Sequence, residues 1–351
     1  MKLEQIGFYT LSDARVASAS ETSRLSRCEL ILTGCCNFRC PYCRRVGGPD
    51  LDFGQAERTI RLWAAEHLYA IRFSGGEPMM YPRLKELVMA ARGFGIEKIA
   101  VSTNGSAPLY LYQRLIEAGV NDLSVSLDAC CAADGEIMTG QADEWEQIVA
   151  NIRALARSVY LTVGIVLNDQ NAARASDVIR FAVNLGVSDI RVIPAAQNGD
   201  RLNGITVSPD VLARFPILRY RVQNLVGGRP VRGLRGTDSD RCGLVLDDMA
   251  VCGDQHYPCI IYMREGGAAI GKVGPDMRRE RAEWCAAHDT HADPICARNC
   301  LDVCVDYNNG WSKIIRNRPI PPAKPHQRVR FPRRILSLIR GLRARPELSD
   351  A

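Results

Sequence analysis

Three thiols on one short segment are the first residues of this chain that could do chemistry: Cys36-Asn37-Phe38-Arg39-Cys40-Pro41-Tyr42-Cys43, a CxxxCxxC spacing. Three thiolates on one loop can hold three corners of an iron–sulfur cube, and cubane clusters usually take four cysteines. The set therefore implies either a distant fourth ligand or one iron left open to a substrate. A zinc knuckle lacking its fourth ligand reads the same way. A second concentration of thiols, Cys242, Cys252, Cys259, Cys285, Cys296, Cys300 and Cys304, lies within 63 residues near the other end. Only Cys130 and Cys131 separate the two groups. The chain has fourteen cysteines in 351 residues, and its N-terminus has no basic segment followed by an apolar one. Such thiols are read as metal ligands or catalytic groups before disulfides.

The elements that must position them follow from periodicity. Apolar or alternating runs recur at 28–34 (CELILTG), 70–76 (AIRFSGG), 98–105 (KIAVSTNG), 122–128 (DLSVSLD), 159–167 (VYLTVGIVL) and 189–196 (DIRVIPAA). Their Ile, Val, Leu and Thr content suits strands of a parallel sheet covered on both faces. Between them lie stretches with apolar residues at three- and four-residue spacing, several ending near Gly95, Gly119 and Gly186, where a helix C-cap is expected. Six βα units predict an α/β fold with right-handed crossovers, either an open sheet or a barrel, complete or partial. In each case the chemistry belongs at the strands' C-terminal ends. After about residue 200 the pattern gives way to short pieces (GLVLDDMAV, HYPCIIYM, GAAIGKVG) that read as hairpins.

Four motifs stand at strand ends, in order. They are the cysteine loop, Ser74-Gly75-Gly76-Glu77-Pro78, Ser102-Thr103-Asn104-Gly105, and Ser124-Val125-Ser126-Leu127-Asp128. In type and order they resemble the radical SAM superfamily over roughly residues 28–197. The resemblance implies a partial (βα)6 TIM-like barrel in which Cys36, Cys40 and Cys43 bind a [4Fe-4S] cluster. The fourth iron would chelate S-adenosyl-L-methionine, and reductive cleavage would give a 5′-deoxyadenosyl radical that takes hydrogen from a substrate. The expected cofactor contacts are Tyr42, Gly75, Gly76, Glu77, Pro78, Ser102, Thr103, Asn104, Ser126, Asp128 and Ile193. Glu77 is expected to accept from the cofactor ammonium, and Ile193 to touch adenine. Asp128 reads equally as a helix N-cap. Arg72 reads as a substrate contact or as the partner of a carboxylate on the barrel wall.

Cys242, Gly253, Tyr257-Pro258-Cys259, Cys296, Cys300 and Cys304 resemble the SPASM/twitch extension of the same superfamily, which implies one or more auxiliary [4Fe-4S] clusters. The departures are a longer gap after the glycine and a CxxxCxxxC spacing in place of CxxC. If the last three thiols share a helix, the i, i+4, i+8 spacing puts them on one face. A structural zinc site using His288 or His291 is the alternative. Cys252 and Cys285 are candidate hydrogen-atom donors. An extension leaving strand six is expected to cap the open side of the barrel, its cluster facing S-adenosyl-L-methionine and accepting an electron.

These readings give four segments: an N-terminal extension (1–27), the barrel (28–200), a small Cys-rich domain (201–315), and a Pro-rich linker with a basic tail helix (316–351). The net charge of +6 belongs to that tail, where eleven Lys/Arg face two Asp/Glu after residue 310. The tail suits an acidic partner. The SPASM-like part implies oxidative modification or epimerisation of a peptide or protein side chain, with a nucleotide, nucleic acid or amino sugar as the alternative. An IRFxGGEP strand is shared with the GTP-using cyclase of molybdenum-cofactor synthesis. The chain lacks that enzyme's CxxC with an Arg-rich C-terminal site, and ends Leu-Ser-Asp-Ala, so a different enzyme is expected. A zinc-stabilised nucleic-acid-binding protein is the non-enzymatic reading. A flavodoxin or ferredoxin is the expected reductant. The 46% apolar content excludes a disordered chain, and no apolar run reaches the ~18 residues of a membrane span, so a cytoplasmic location is expected.

Overall fold

The computed structural model describes residues 1–197 and 205–316. The Pro-rich linker and basic tail lie outside the described residues. Met1–Arg316 belong to one compact unit. The strands are β1 (Arg27–Thr33), β2 (Ala70–Gly75), β3 (Lys98–Thr103), β4 (Asp122–Ser126), β5 (Tyr160–Leu167), β6 (Asp189–Pro194), β7 (Asp248–Cys252), β8 (Gln255–Tyr257) and β9 (Gly271–Lys272). The helices of the barrel region are α1 (Asp13–Ser18), α2 (Phe53–Ala65), α3 (Leu84–Gly93), α4 (Leu109–Ala118), α5 (Ala132–Thr139), α6 (Trp145–Leu155) and α7 (Ala175–Asn184). After β6 come α8 (Pro209–Arg214), α9 (Pro216–Val226), α10 (Ile260–Arg264), α11 (Met277–Ala287), α12 (Pro294–Asn299) and α13 (Asp302–Arg316).

The sheet runs β6-β5-β4-β3-β2-β1-β7-β8-β9, parallel from β6 to β7 and antiparallel beyond. All six expected βα units form, giving the partial (βα)6 barrel. Its strands are apolar on one face only. Leu30, Leu32, Ile71, Phe73, Val101 and Val163 point outward and pack with Ile60, Trp63 and Leu87 of the helices in one core. The inner face is polar and laced across strands. Arg72 Nη1 donates to Ser102 Oγ (2.8 Å), Arg191 Nη2 to Ser124 Oγ (2.9 Å), and Ser74 Oγ to Glu29 Oε1 (2.6 Å). The expectation of strands apolar on both faces therefore fails: this alternation is what a barrel with a solvated interior requires. Residues 7–10 close the N-terminal end, where the Tyr9 hydroxyl donates to Asp122 Oδ2 at 2.6 Å.

The Cys-rich segment extends the same sheet. β7 lies beside β1, with Arg27 opposite Asp248 and Ile31 opposite Cys252. β7 and β8 form the expected hairpin, but the apolar run after it is a helix, α10. Pro258 cannot donate to a ladder and ends β8. The Cys259 sulfur then caps α10 by accepting from the Tyr262 N–H (3.4 Å). Among the described residues no helix is long and apolar enough to cross a membrane.

Candidate functional site

At the C-terminal ends of the strands lies a cavity of about 260 Å³. Its lining includes Cys36, Cys40, Cys43, Tyr42, Gly75, Gly76, Ser102, Thr103, Asn104, Ser126 and Asp128. The cysteine loop follows β1 and is tied down from several sides. Arg39 N donates to Thr139 O (2.8 Å), Asn104 Nδ2 to Asn37 Oδ1 (2.8 Å), and Gln197 Nε2 to Tyr42 O (2.9 Å). Two glycines let the next loop pass beside it. A Cβ on Gly75 (φ +151°) would strike the Thr33 backbone, and one on Gly76 the Cys35 carbonyl.

The thiols here suit a metal. Burial, with Asp128 and Cys43 nearby, pushes Cys40 up to about 12, and burial also raises Cys36. Free, these groups keep their protons at neutral pH, so a thiolate at either position needs a cation beside it. No fourth cysteine and no histidine lines the cavity among the described residues. This loop would hold a cubane by three of its irons and would leave the fourth without a thiol from the lining.

Asp128 is a brace for the loop. Its carboxylate accepts from the Tyr42 hydroxyl and from Val166 N (2.6 Å), and burial raises it to about 6. It is not an N-cap, since Cys131 occupies that position of α5. Glu77 departs from expectation. It is 2% exposed, and its carboxylate accepts from Met79 N (3.0 Å), Thr103 Oγ1 (2.7 Å) and Asn104 N (2.6 Å). It pins the ends of β2 and β3 together and is absent from the cavity lining. Pro78, itself buried, opens a 3-10 turn behind it.

Four further expected residues do not line the cavity. Arg72 is held by Ser102 and Asp122 (3.4 Å) at the closed end of the barrel and does not reach the cavity. Ile193 is half-buried on β6 and is absent from the lining. Cys285 is buried on α11, where its thiol donates to Cys242 O (3.3 Å), remote from any substrate in the cavity. Cys252 ends β7 and is also absent from the lining. The sequence reading missed Glu29, Arg191 and Arg264, which do line it. Glu29 and Arg191 carried a signal: each is a charge between outward-facing apolar neighbours of a strand. Arg191 is pushed down to about 10 by burial and by nearby Arg72 and Arg221, and its Nε is buried without a partner.

The second group of thiols converges too. Cys242, Cys259, Cys296, Cys300 and Cys304 line one narrow, mainly apolar pocket. Burial raises all five, Cys242 to about 12. The last three do not share a helix. α12 ends at Asn299, and the backbone at 300–302 bonds instead to Val231 and Gly233 (2.9 Å each) before α13 begins. Nor does the pocket cap the open side. Cys259 follows a strand that runs back from Cys252, and the charges acting on Cys259 and Cys304 are Asp248 and Arg27, at the strands' N-terminal ends. One element links the two sites. α10 is capped by Cys259 and ends at Arg264, whose guanidinium donates to Gly75 O and Arg44 O (3.0 Å each).

Residues 30–182 match the Radical SAM superfamily. The chain is 33% identical over 141 residues to "GTP 3',8-cyclase" of Chlorobaculum tepidum, covering 38% of this chain and 42% of that protein. It spans about half the length of the curated relatives it matches. Its fold is similar to a solved structure titled "Native anSMEcpe with bound AdoMet and Kp18Cys peptide" (TM-score 0.55, 14% identity, 84% of this chain and 98% of that one). It is also similar to Streptococcus suis SuiB bound to precursor peptide SuiA (TM-score 0.52, 12% identity, 78% and 66%).

Proposed function

We propose that this chain, whose residues 30–182 are a radical SAM domain, is an enzyme that takes a hydrogen atom from a small anionic substrate of the nucleotide class. When bound, a [4Fe-4S] cluster and S-adenosyl-L-methionine supply the chemistry: one electron splits the sulfonium into methionine and a 5′-deoxyadenosyl radical. Cys36, Cys40 and Cys43 hold three irons of that cluster. Ser102, Asn104 and Ser126 offer the cofactor short polar groups, and Tyr42 with Asp128 keeps the loop in place.

The substrate lies deeper, between the cofactor and the closed end. The observation that carries this reading is Arg191, a buried guanidinium with an unpartnered Nε on the lining. A buried cation of that kind is matched by a phosphate or carboxylate. Arg264 adds a second cation, and Glu29 and Ser124 offer acceptors for hydroxyl or base N–H groups. The relatives' name, a GTP cyclase, supports a nucleotide ahead of a peptide, and a cyclisation or isomerisation ahead of a net oxidation. A peptide side chain is the second reading, favoured by the solved structures that match over most of this chain and are titled with peptides. Four of the five C-terminal thiols hold an auxiliary cluster, which steadies α10 and through it the Gly75 loop. A flavodoxin or ferredoxin serves as reductant.

The test is anaerobic turnover of reconstituted protein with S-adenosyl-L-methionine and a panel of nucleoside triphosphates and peptides. Deuterium passing from a labelled nucleotide into 5′-deoxyadenosine supports the reading. Transfer from a peptide and from no nucleotide overturns the substrate assignment.

A further inference from the structure

Beside the five-thiol pocket is a tighter group. His288 Nε2 lies 3.4 Å from Asp293 Oδ2 and 3.9 Å from Cys296 Sγ. All three ligand atoms fall within 4.8 Å of one another, and among the described residues no other His, Cys, Asp and Glu side chains come together this way. The spacing is that of a single ion. Zinc bonds of about 2.1 Å to nitrogen or oxygen and about 2.3 Å to sulfur, at tetrahedral angles, put the ligand atoms about 3.4–3.6 Å apart. The other cysteines of the pocket make no such close triad, as expected of ligands on the corners of a larger body.

The supports around the triad are those of a metal site. The His288 ring stacks on Trp284, centroids 3.9 Å apart, which fixes its plane. Asp293 Oδ1 accepts from Ile295 N (2.8 Å) and Cys296 N (2.9 Å), so Oδ2 is turned toward the histidine, and the Tyr262 hydroxyl donates to it at 2.8 Å. His291, the other histidine considered, is turned to the Asp238 carbonyl at 3.1 Å and takes no part.

We propose that His288, Asp293 and Cys296 bind one zinc ion, distinct from the iron–sulfur site, with a fourth position open to water. His288 ends α11 and Asp293 caps α12, so the ion ties two helices together just before Cys300. It also resolves the count. Five thiols are one too many for a cubane with no open iron. With Cys296 on zinc, Cys242, Cys259, Cys300 and Cys304 remain, which is four. The zinc site stands whether or not those four hold iron; only the division of the thiols rests on the auxiliary-cluster reading.

The test is metal analysis of anaerobically purified and reconstituted holoprotein, with cobalt(II) as an optical probe of the same site. The expected result is about one zinc per chain. Asp293→Asn, which keeps the helix cap, and His288→Ala should each lower it at least tenfold with iron unchanged. Cobalt should give a thiolate charge-transfer band in the wild type that Cys296→Ser removes. Three results would overturn the proposal: no zinc or cobalt uptake by the wild type, uptake equal in the variants, or loss of a whole cluster's iron in Cys296→Ser. Parallel loss of zinc and iron in both Asp293→Asn and His288→Ala would overturn the separateness of the two sites.

Discussion

The two cysteine-bearing regions solve opposite problems. The first puts three thiols on a loop at the mouth of a polar cavity, with no fourth cysteine or histidine on its lining among the described residues. The second gathers five half-buried thiols around a narrow, mainly apolar pocket between α10, α12 and α13. A site that leaves a coordination position free can act on a small molecule; one that surrounds its metal with protein thiolates can only hold, or pass an electron. The difference assigns chemistry to the open site and support to the closed one. α10 carries that support across, with the Cys259 thiol at one end and Arg264 at the other.

The comparison breaks most visibly if the closed site is emptied. Cys259→Ala and Cys300→Ala should lose the second cluster's iron and all product formation, yet keep some unproductive cleavage of S-adenosyl-L-methionine. Iron content and 5′-deoxyadenosine release, measured together, separate the two effects. Normal turnover in these variants would leave the closed site without a role in the reaction.

Next in size is Arg191→Met. It removes the one buried cation on the lining with an unpartnered Nε and should lower kcat/KM for substrate about 100-fold, close to 3 kcal/mol. Unproductive cofactor cleavage should continue at the wild-type rate. A loss in cleavage instead would place Arg191 with the cofactor.

Glu77 gives the open site a pH signature. Burial raises its carboxyl to about 7 against an ordinary 4.5. The folded state therefore holds the proton more tightly than the unfolded chain. That stability is fully present below about pH 4.5 and is lost as pH rises through 7. Glu77→Gln cannot titrate. Its denaturation free energy should show a weaker fall between pH 5 and 8 than wild type, by up to about 3 kcal/mol. Parallel profiles would mean that Glu77 stays ionised in the fold.

The smallest effect sharpens the link between the sites. Arg264→Met removes two charge-assisted bonds, to the Gly75 and Arg44 carbonyls, and leaves Cys259 in place. S-adenosyl-L-methionine affinity should weaken about tenfold, or about 1.4 kcal/mol, with total iron unchanged. Calorimetric titration measures the first and metal analysis the second.

What the sequence could reveal follows the same divide. The open site is built from strand-end loops in a repeating βα pattern, so six strands and the cysteine, glycine and serine positions at their ends were legible from periodicity and spacing, while the choice between open sheet and barrel was not. Glu77 was placed correctly, but its ties to Thr103 and Asn104 were not legible, because only the fold brings that loop to it. Arg72 and Arg191 look alike in sequence, each a charge within a strand, and both reach the closed end of the barrel, but only Arg191 also lines the cavity. The closed site was legible as a list of thiols and not as an arrangement. Its geometry rests on β7 joining β1, on a proline that turns an apolar run from strand into helix, and on a backbone break at 300–302 that no periodicity announces.

The central claim is that Cys36, Cys40 and Cys43 hold the cluster that cleaves the cofactor, and one measurement tests it most directly. Reconstituted wild-type protein, reduced with dithionite in the presence of S-adenosyl-L-methionine, should release 5′-deoxyadenosine, and Cys36→Ala, Cys40→Ala and Cys43→Ala proteins should each release none while keeping the iron of the C-terminal site. Continued release by any of the three variants, or none by the wild type, would contradict it.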